Sequence, residues 1–414
     1  MISKINSHLK NKLLIYFLIY LSFITSFILG ENSSGGSQND SLAMQMYIDQ
    51  LLVNFKQGIV LFFEEGQGHS PVFYIMKSVL ENFFTKIGSD LINLTLGFLI
   101  PIVFYSILKK KFIGCSKDLL FLISLILYLS PYIRSSAVWA TNDNLATLFF
   151  ALSISKFFTF KKNYDKAKDI FLCFFYIILA AYIRQYYIMI ILVYFFFLYK
   201  NITLKVFISL LAISFILSIP YFLYTYIFLL SNFDYATKGF AKPDLKINLL
   251  IFFNMYLFYI LPFFLNHENY KLIKFFYNEK KTYLLSLSVI FVLFFFNYNL
   301  PDMKFGGGIY YKLFQFLGLD FLFIFSAFIG MFLVLLTINL KIKNLFILVI
   351  FFMMLPFATI YQKYYDPFLV IFFFSFLQSD LIDISIKNKA INIPVIFVYF
   401  LLFLTVSNIY YLNL

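Results

Sequence analysis

Residues 13–29 read Leu13-Leu14-Ile15-Tyr16-Phe17-Leu18-Ile19-Tyr20-Leu21-Ser22-Phe23-Ile24-Thr25-Ser26-Phe27-Ile28-Leu29, an uncharged run directly behind Lys10 and Lys12. A helix needs about 20 predominantly apolar residues, within roughly 17–25, to cross the hydrocarbon core of a bilayer. Working outward from this run, comparable stretches recur near 90–108, 119–133, 137–156, 169–183, 186–199, 206–229, 249–265, 282–297, 319–340, 344–360, 367–384 and 391–412. The chain therefore reads as a single all-α integral membrane domain over 1–414, with about thirteen spans. The runs flanking Arg184 are short enough to tilt or to re-enter the same side.

Composition agrees. Hydrophobic residues make up 62% and charged residues 13%, against roughly 45–50% and about 25% in soluble domains. With 61 Phe and 32 Tyr, a water-soluble fold would expose far too much apolar surface. The net charge of +13 suits a bilayer better than nucleic acid, because the lysines cluster in short loops at one set of span ends. Lys109-Lys110-Lys111, Lys161-Lys162, Lys280-Lys281 and Lys387 with Lys389 all mark the cytoplasmic side if the N-terminus is inside. The first run has a basic front but lacks a small-x-small ending, so it reads as an uncleaved anchor. Two cysteines and three histidines give neither a disulfide framework nor metal-ligand spacing.

The longest polar stretch, 30–89, then falls on the non-cytoplasmic face. Leu42, Met46, Ile48, Leu51, Leu52 and Phe55 recur at near-helical spacing, which predicts an amphipathic helix on the membrane surface. Asp40 and Ser41 stand where its N-cap belongs, and a capping aspartate needs no chemistry. Farther on, Glu64-Glu65-Gly66-Gln67-Gly68-His69-Ser70-Pro71 puts two carboxylates, two glycines and a histidine ahead of a proline that opens the next helix. This reads either as a solvated turn or as a pocket wall.

The other ends on that face are unusually polar. Arg134 and Asp143 lie at a bilayer edge, where an ionised residue costs roughly 2.5–3.5 kcal/mol at a helix centre unless it pairs or faces a cavity. Arg184-Gln185 occupies the tip of a tight hairpin on the face where basic residues are depleted, which favours a pairing role. Lys304-Phe305-Gly306-Gly307-Gly308-Ile309-Tyr310-Tyr311-Lys312 has three glycines but no Gly-Lys-Ser/Thr ending, so it is no nucleotide loop. Lys363 sits at a further boundary, in Gln362-Lys363-Tyr364-Tyr365-Asp366-Pro367. A site on this face has no access to nucleotide sugars, and a polyprenyl phosphate is the usual form of a donor already carried across.

These fragments together resemble the GT-C class of glycosyltransferases, and most nearly the dolichyl-phosphate-glucose-dependent α-1,2-glucosyltransferase family. Asn39-Asp40-Ser41 is similar to that family's Met-Asp-Glu, with Ser41 in place of the glutamate. Phe63-Glu64-Glu65 with Ser70-Pro71-Val72-Phe73-Tyr74 resembles its Trp-Asp-Pro and Pro-Gly-Leu-Tyr. Ile183-Arg184-Gln185 resembles Phe-Arg-Gln, and Leu300-Pro301-Asp302-Met303-Lys304 resembles Ala-Asp-Asn-Arg, although Phe305 replaces the histidine that follows. Gln362 to Pro367 resembles the Arg-Tyr-x-x-Pro helix start of GT-C enzymes.

The resemblance implies an inverting transfer from a polyprenyl (dolichyl or undecaprenyl) phosphate sugar to a glycan or lipid-linked oligosaccharide. Asp40 would be the general base, with Glu64 or Glu65 in reserve; Arg184, Lys304 and Lys363 would hold the donor phosphate. His69, Arg134, Asp143, Gln185 and Tyr310 would line the pocket or orient the acceptor, and no metal or other cofactor is called for. The location implied is a bacterial inner membrane or endoplasmic reticulum, with the site on the periplasmic or lumenal face. A lipid-carrier flippase or other polytopic transporter is the rival from another class, but the repeat symmetry common in transporters is not visible.

Overall fold

The computed structural model describes residues 2–65, 70–162, 167–199, 201–231, 244–295, 298–303, 306–354 and 360–412. All regular elements among them are helical. The first half of the chain forms α1 (Ile2–Leu29), α2 (Ser37–Val53), α3 (Phe55–Glu65), α4 (Val72–Lys111), α5 (Lys117–Leu125), α6 (Pro131–Val138), α7 (Asn142–Lys162), α8 (Ala167–Ile183), α9 (Ile190–Leu198) and α10 (Leu204–Ser231). There follow α11 (Leu245–Ile260), α12 (His267–Phe295), α13 (Gly308–Phe316), α14 (Asp320–Thr337), α15 (Ile342–Met353), α16 (Phe368–Ser375), α17 (Asp380–Lys387) and α18 (Ile393–Leu412).

Six helices are long and apolar enough to cross a membrane, or eight if each of two bent pairs is one span. The thirteen expected spans are not all of this kind. The third run bends by 59° between α5 and α6, and the run over 367–384 bends by 83° between α16 and α17. Apolar windows register side-chain composition and are blind to such breaks. Single-turn 3₁₀ segments stand at Ile126–Leu129 within that third run, at Gln185–Met189 between α8 and α9, and at Leu261–Phe264 at the end of the span that α11 begins.

The stretch 30–89 is not one surface helix on a loop. It holds α2, α3 and the first segment of α4, which is interrupted at Thr85 (φ 63°, ψ 168°) before the long span continues. α2 starts at Ser37 behind a Gly36 N-cap. Asp40 is therefore inside the first turn and does not cap the helix. One side of α2 is buried: Tyr47 packs edge-on against Phe62 of α3 at 5.5 Å and Tyr74 of α4 at 5.9 Å. Its opposite side leaves Leu42, Met46 and Val53 exposed, as a helix resting on lipid requires.

Close backbone approach organises the bundle, as it does where lipid gives no hydrophobic drive between helices. Gly97 of α4 faces α7, and a Cβ there would stand 2.6 Å from the Asn144 amide nitrogen. Gly330 of α14 faces α11, where a Cβ would stand 2.0 Å from the Phe253 carbonyl oxygen. In the same α11–α14 contact the buried Asn254 amide donates to the Leu250 and Phe323 carbonyls, each at 3.0 Å. These devices set the spacing of α4 against α7 and of α11 against α14.

Candidate functional site

Asp40, Asp143, Arg184 and Lys363 lie far apart in sequence and come together at one end of the bundle. Asp40 reaches this place because the Glu31–Gly36 turn, with Gly35 at φ +73°, delivers the chain into α2 one turn earlier. Lys363 sits on the 3₁₀ turn Gln362–Tyr364. That turn is anchored by Gln362, whose side-chain oxygen accepts from the Ile309 amide (2.9 Å) and whose amide donates to the Tyr259 hydroxyl (2.8 Å). The Lys363 ammonium donates to Asp40 Oδ2 at 2.8 Å. The Asp40 side chain keeps 38% of its exposure in this pair, so it stays open to solvent.

Asp143 stands in the first turn of α7, where the helix N-terminus favours a carboxylate. Arg184 occupies the break after α8 in an extended conformation (ψ 105°), which swings its side chain out of the helix direction. Its guanidinium meets Asp143 Oδ1 at 2.6 Å with only 7% of the side chain exposed. Burial pulls the guanidinium pKa down, but Asp143, then Tyr186, Tyr364 and Asp40, push it up further, and the net shift is upward. Arg184 is a fixed cation.

Between the two ion pairs runs a narrow polar cleft, lined among others by Ser37, Asp143, Lys363 and Asp366. Its volume is about 20 Å³, close to what one water molecule occupies. Asp366 is the residue that the sequence reading did not single out. It is buried and its Oδ2 has no hydrogen-bond partner. An acid immediately before the proline that precedes a helix was the available signal.

The remaining candidates lie elsewhere. Arg134 is a strut: it makes three hydrogen bonds at 3.0–3.1 Å to the Glu31 carboxylate, donates to Ser26 Oγ, and lies 4.9 Å from the centre of the Phe23 ring. It ties α6 to the end of α1. Glu64 is exposed near the end of α3, away from the residues that line the cleft. Gln185 follows Arg184 on the 3₁₀ turn, half-buried and outside the lining. Tyr310 packs on Phe258 and Phe314 at 5.7 and 5.9 Å, within the aromatic layer under the Gln362 turn. His69 and Lys304 lie outside the described residues, as does the side chain of Glu65.

Comparison with protein-family profiles, curated proteins and solved structures finds no match to this chain.

A second buried charged cluster went unread in the sequence. Lys77 of α4 contacts Asp90 at 2.7 Å and Glu81 at 3.8 Å, while Gln45 of α2 donates to Glu81 (3.0 Å) and Asp49 (2.8 Å). Lys77 and Glu81 are one helical turn apart, and that spacing was the clue. The cluster holds α2 against α4, five residues along the helix from Asp40.

Proposed function

We propose that this chain is a GT-C-type membrane glycosyltransferase that moves a sugar from a polyprenyl phosphate to a glycan or lipid-linked acceptor on the non-cytoplasmic face. The observation that carries the reading is a pair of carboxylate–cation contacts beside one cleft: Asp143 and Lys363 line it, and their partners Arg184 and Asp40 stand behind that lining. Inverting transfer needs both kinds of group. A carboxylate takes the acceptor proton as the hydroxyl oxygen attacks the anomeric carbon, and cations receive the charge on the departing lipid phosphate.

The paired state also supplies a sequence of events. At about 20 Å³ the cleft does not admit a sugar, so the ion pairs part when the donor enters. Its phosphate competes for Lys363 and Arg184 with more oxygens and more charge than a carboxylate offers. Asp40, released from Lys363, becomes free to accept a proton, and the base is thus available only when the donor is seated. Asp143, released from Arg184 and still favoured as a carboxylate by the helix N-terminus, orients the acceptor.

The test is transfer by the full-length chain in membranes from radiolabelled polyprenyl-phosphate sugars. Asp40→Asn keeps the side-chain shape and removes the base, so kcat falls about 10²–10⁴-fold. Lys363→Met weakens donor binding and raises KM for the donor. Transfer by Asp40→Asn at near wild-type rate removes Asp40 as base. Absence of transfer in the wild type, with labelled lipid crossing the bilayer instead, overturns the enzyme reading in favour of a flippase.

A further inference from the structure

A roomier cavity than the carboxylate cleft lies elsewhere among the described residues. It lies at the other end of α7, whose first turn carries Asp143 and whose last turn carries Lys161 and Lys162. A cleft of about 260 Å³ opens there, lined by Lys110, Lys111, Lys161 and Lys162, by the rings of Phe157, Phe158 and Phe197, and by Ser375. That volume falls just short of the roughly 300 Å³ at which small-molecule pockets begin.

Its chemistry is one-sided. Among the described residues four ammonium groups line the cleft and no carboxylate does, the nearest acids acting from behind it, Asp169 on Lys110 and Asp383 on Lys111. Two of the lysines are held in place: Lys110 donates to the Ser155 carbonyl and hydroxyl and to the Thr159 hydroxyl at 2.7–2.8 Å, and Lys111 donates to the Leu377 carbonyl at 2.8 Å. Lys161 and Lys343 each lie 5.8 Å from the centre of the same Phe197 ring, which brings a fifth cation to the rim. The Ser375 hydroxyl is a separate signal. It is 3% exposed, lines the cleft, and is buried without a hydrogen-bond partner.

Clustered lysines near a membrane surface serve topology well enough, but topology needs neither a cavity nor an orphaned hydroxyl. Like charges converging on partly apolar walls repel one another unless an anion joins them. Four cations and an orphaned hydroxyl able to donate face one space, so a partner that suits them all is an acceptor with several charged oxygens. From this geometry we infer that the lysine cleft is a binding site for a phosphate ester, at the end of the bundle opposite the carboxylate cleft. Lys161, Lys162 and Ser375 contact the phosphate, Lys110 and Lys111 supply a fixed positive field, and the phenylalanine rings flank the ester group.

A lipid headgroup and a soluble phosphate ester share this chemistry, and the experiment separates them. The full-length chain in detergent is examined by native mass spectrometry with added phosphatidic acid, and with diacylglycerol as the matched lipid lacking phosphate. Phosphatidic acid is retained and diacylglycerol is not. Lys161→Gln with Lys162→Gln, both at exposed positions, lowers retention about thirtyfold, since each lysine near an anionic headgroup contributes about 1 kcal/mol. Ser375→Ala lowers it as well, and unchanged melting of both variants excludes unfolding as the cause. Release of phosphatidic acid by glycerol phosphate marks the phosphate ester alone as sufficient. Retention that survives glycerol phosphate and falls in the variants marks the lipid as the ligand. Equal retention of diacylglycerol, or full retention by both variants, overturns the site.

Discussion

At the scale of single residues, two arginines that look alike in sequence part company. Arg134 and Arg184 both follow an isoleucine near a span end, and both find a carboxylate. Arg134 binds Glu31 with side-chain exposures of 11% and 10%, and its side chain is outside the cleft lining although its helix neighbours Tyr132 and Ser136 belong to it. Removing one partner of a buried pair leaves the other charge uncompensated, at a cost of about 3–5 kcal/mol. Arg134→Ala therefore lowers the melting temperature of the detergent-solubilised chain while leaving transfer per folded molecule near wild type. Arg184→Lys keeps the charge but loses the planar fork, so it leaves melting closer to wild type and raises KM for the donor. Glu31 adds a pH signature. Burial pushes its carboxyl up, but Arg134 and the Ser26 and Ser33 hydroxyls outweigh burial, and the net shift is below the ordinary glutamate value. The folded state thus favours the charged form more than the unfolded chain does. This contribution to stability is complete above the unfolded pKa of about 4.3 and is lost as pH falls through the lower folded value. The melting difference between wild type and Glu31→Gln should be constant from neutral pH to about 5 and shrink below that. A difference that persists unchanged into strong acid would remove the pair as its origin.

At the scale of elements, what governs the fold is how nearly two backbones can approach. Gly330 shows this best, because the atom opposing a Cβ there is the Phe253 carbonyl oxygen at 2.0 Å, and backbone cannot rotate aside as a side chain can. Gly330→Ala must move α14 away from α11, which strains the Asn254 hydrogen bonds that bridge the pair. The expected cost is about 1–3 kcal/mol, the range for overfilling a packed interior. It should appear as a lower melting temperature and faster proteolysis near α14. Gly36, whose added Cβ would meet nothing within 4 Å, is the matched control and should tolerate alanine. Neither outcome was legible in the sequence, where both glycines stand among residues of ordinary composition. Helix ends were partly legible. Pro71 does precede a helix, but the expected N-cap at Asp40 moved to Gly36, because positive φ at Gly35 turns the chain earlier than side-chain capping preference alone indicates.

At the scale of the whole molecule, the all-α membrane class was legible because apolar composition acts on every segment at once, whereas the number of crossings depends on breaks that composition does not encode. That ionised groups at a bilayer edge find partners was legible, although the sequence left open which ones: the structure pairs Asp143 with Arg184 and Lys363 with Asp40. Asp366 and the Lys77–Glu81–Asp90 cluster were not legible, since nothing in a linear reading tells a buried acid from an exposed one. α7 joins these scales. Its 21 residues, at 1.5 Å each, give about 30 Å, the thickness of the hydrocarbon core. Yet it is not among the helices that qualify as spans by hydropathy. Most of its residues are buried inside the bundle, including Asn142, Asn144, Thr147, Ser153 and Ser155. A helix shielded from lipid by its neighbours needs no continuous apolar surface, so a hydropathy test undercounts crossings of this kind. We therefore expect α7 to cross, with the carboxylate cleft and the lysine cleft on opposite sides of the membrane. Replacing Cys115 and Cys173 by serine gives a background for single cysteines at two exposed positions, Asn39 and Lys162. In sealed right-side-out vesicles an impermeant maleimide should label Asn39→Cys without permeabilisation and Lys162→Cys only after it. Labelling of both from the same side would mean that α7 folds back, and would place the two clefts on one face.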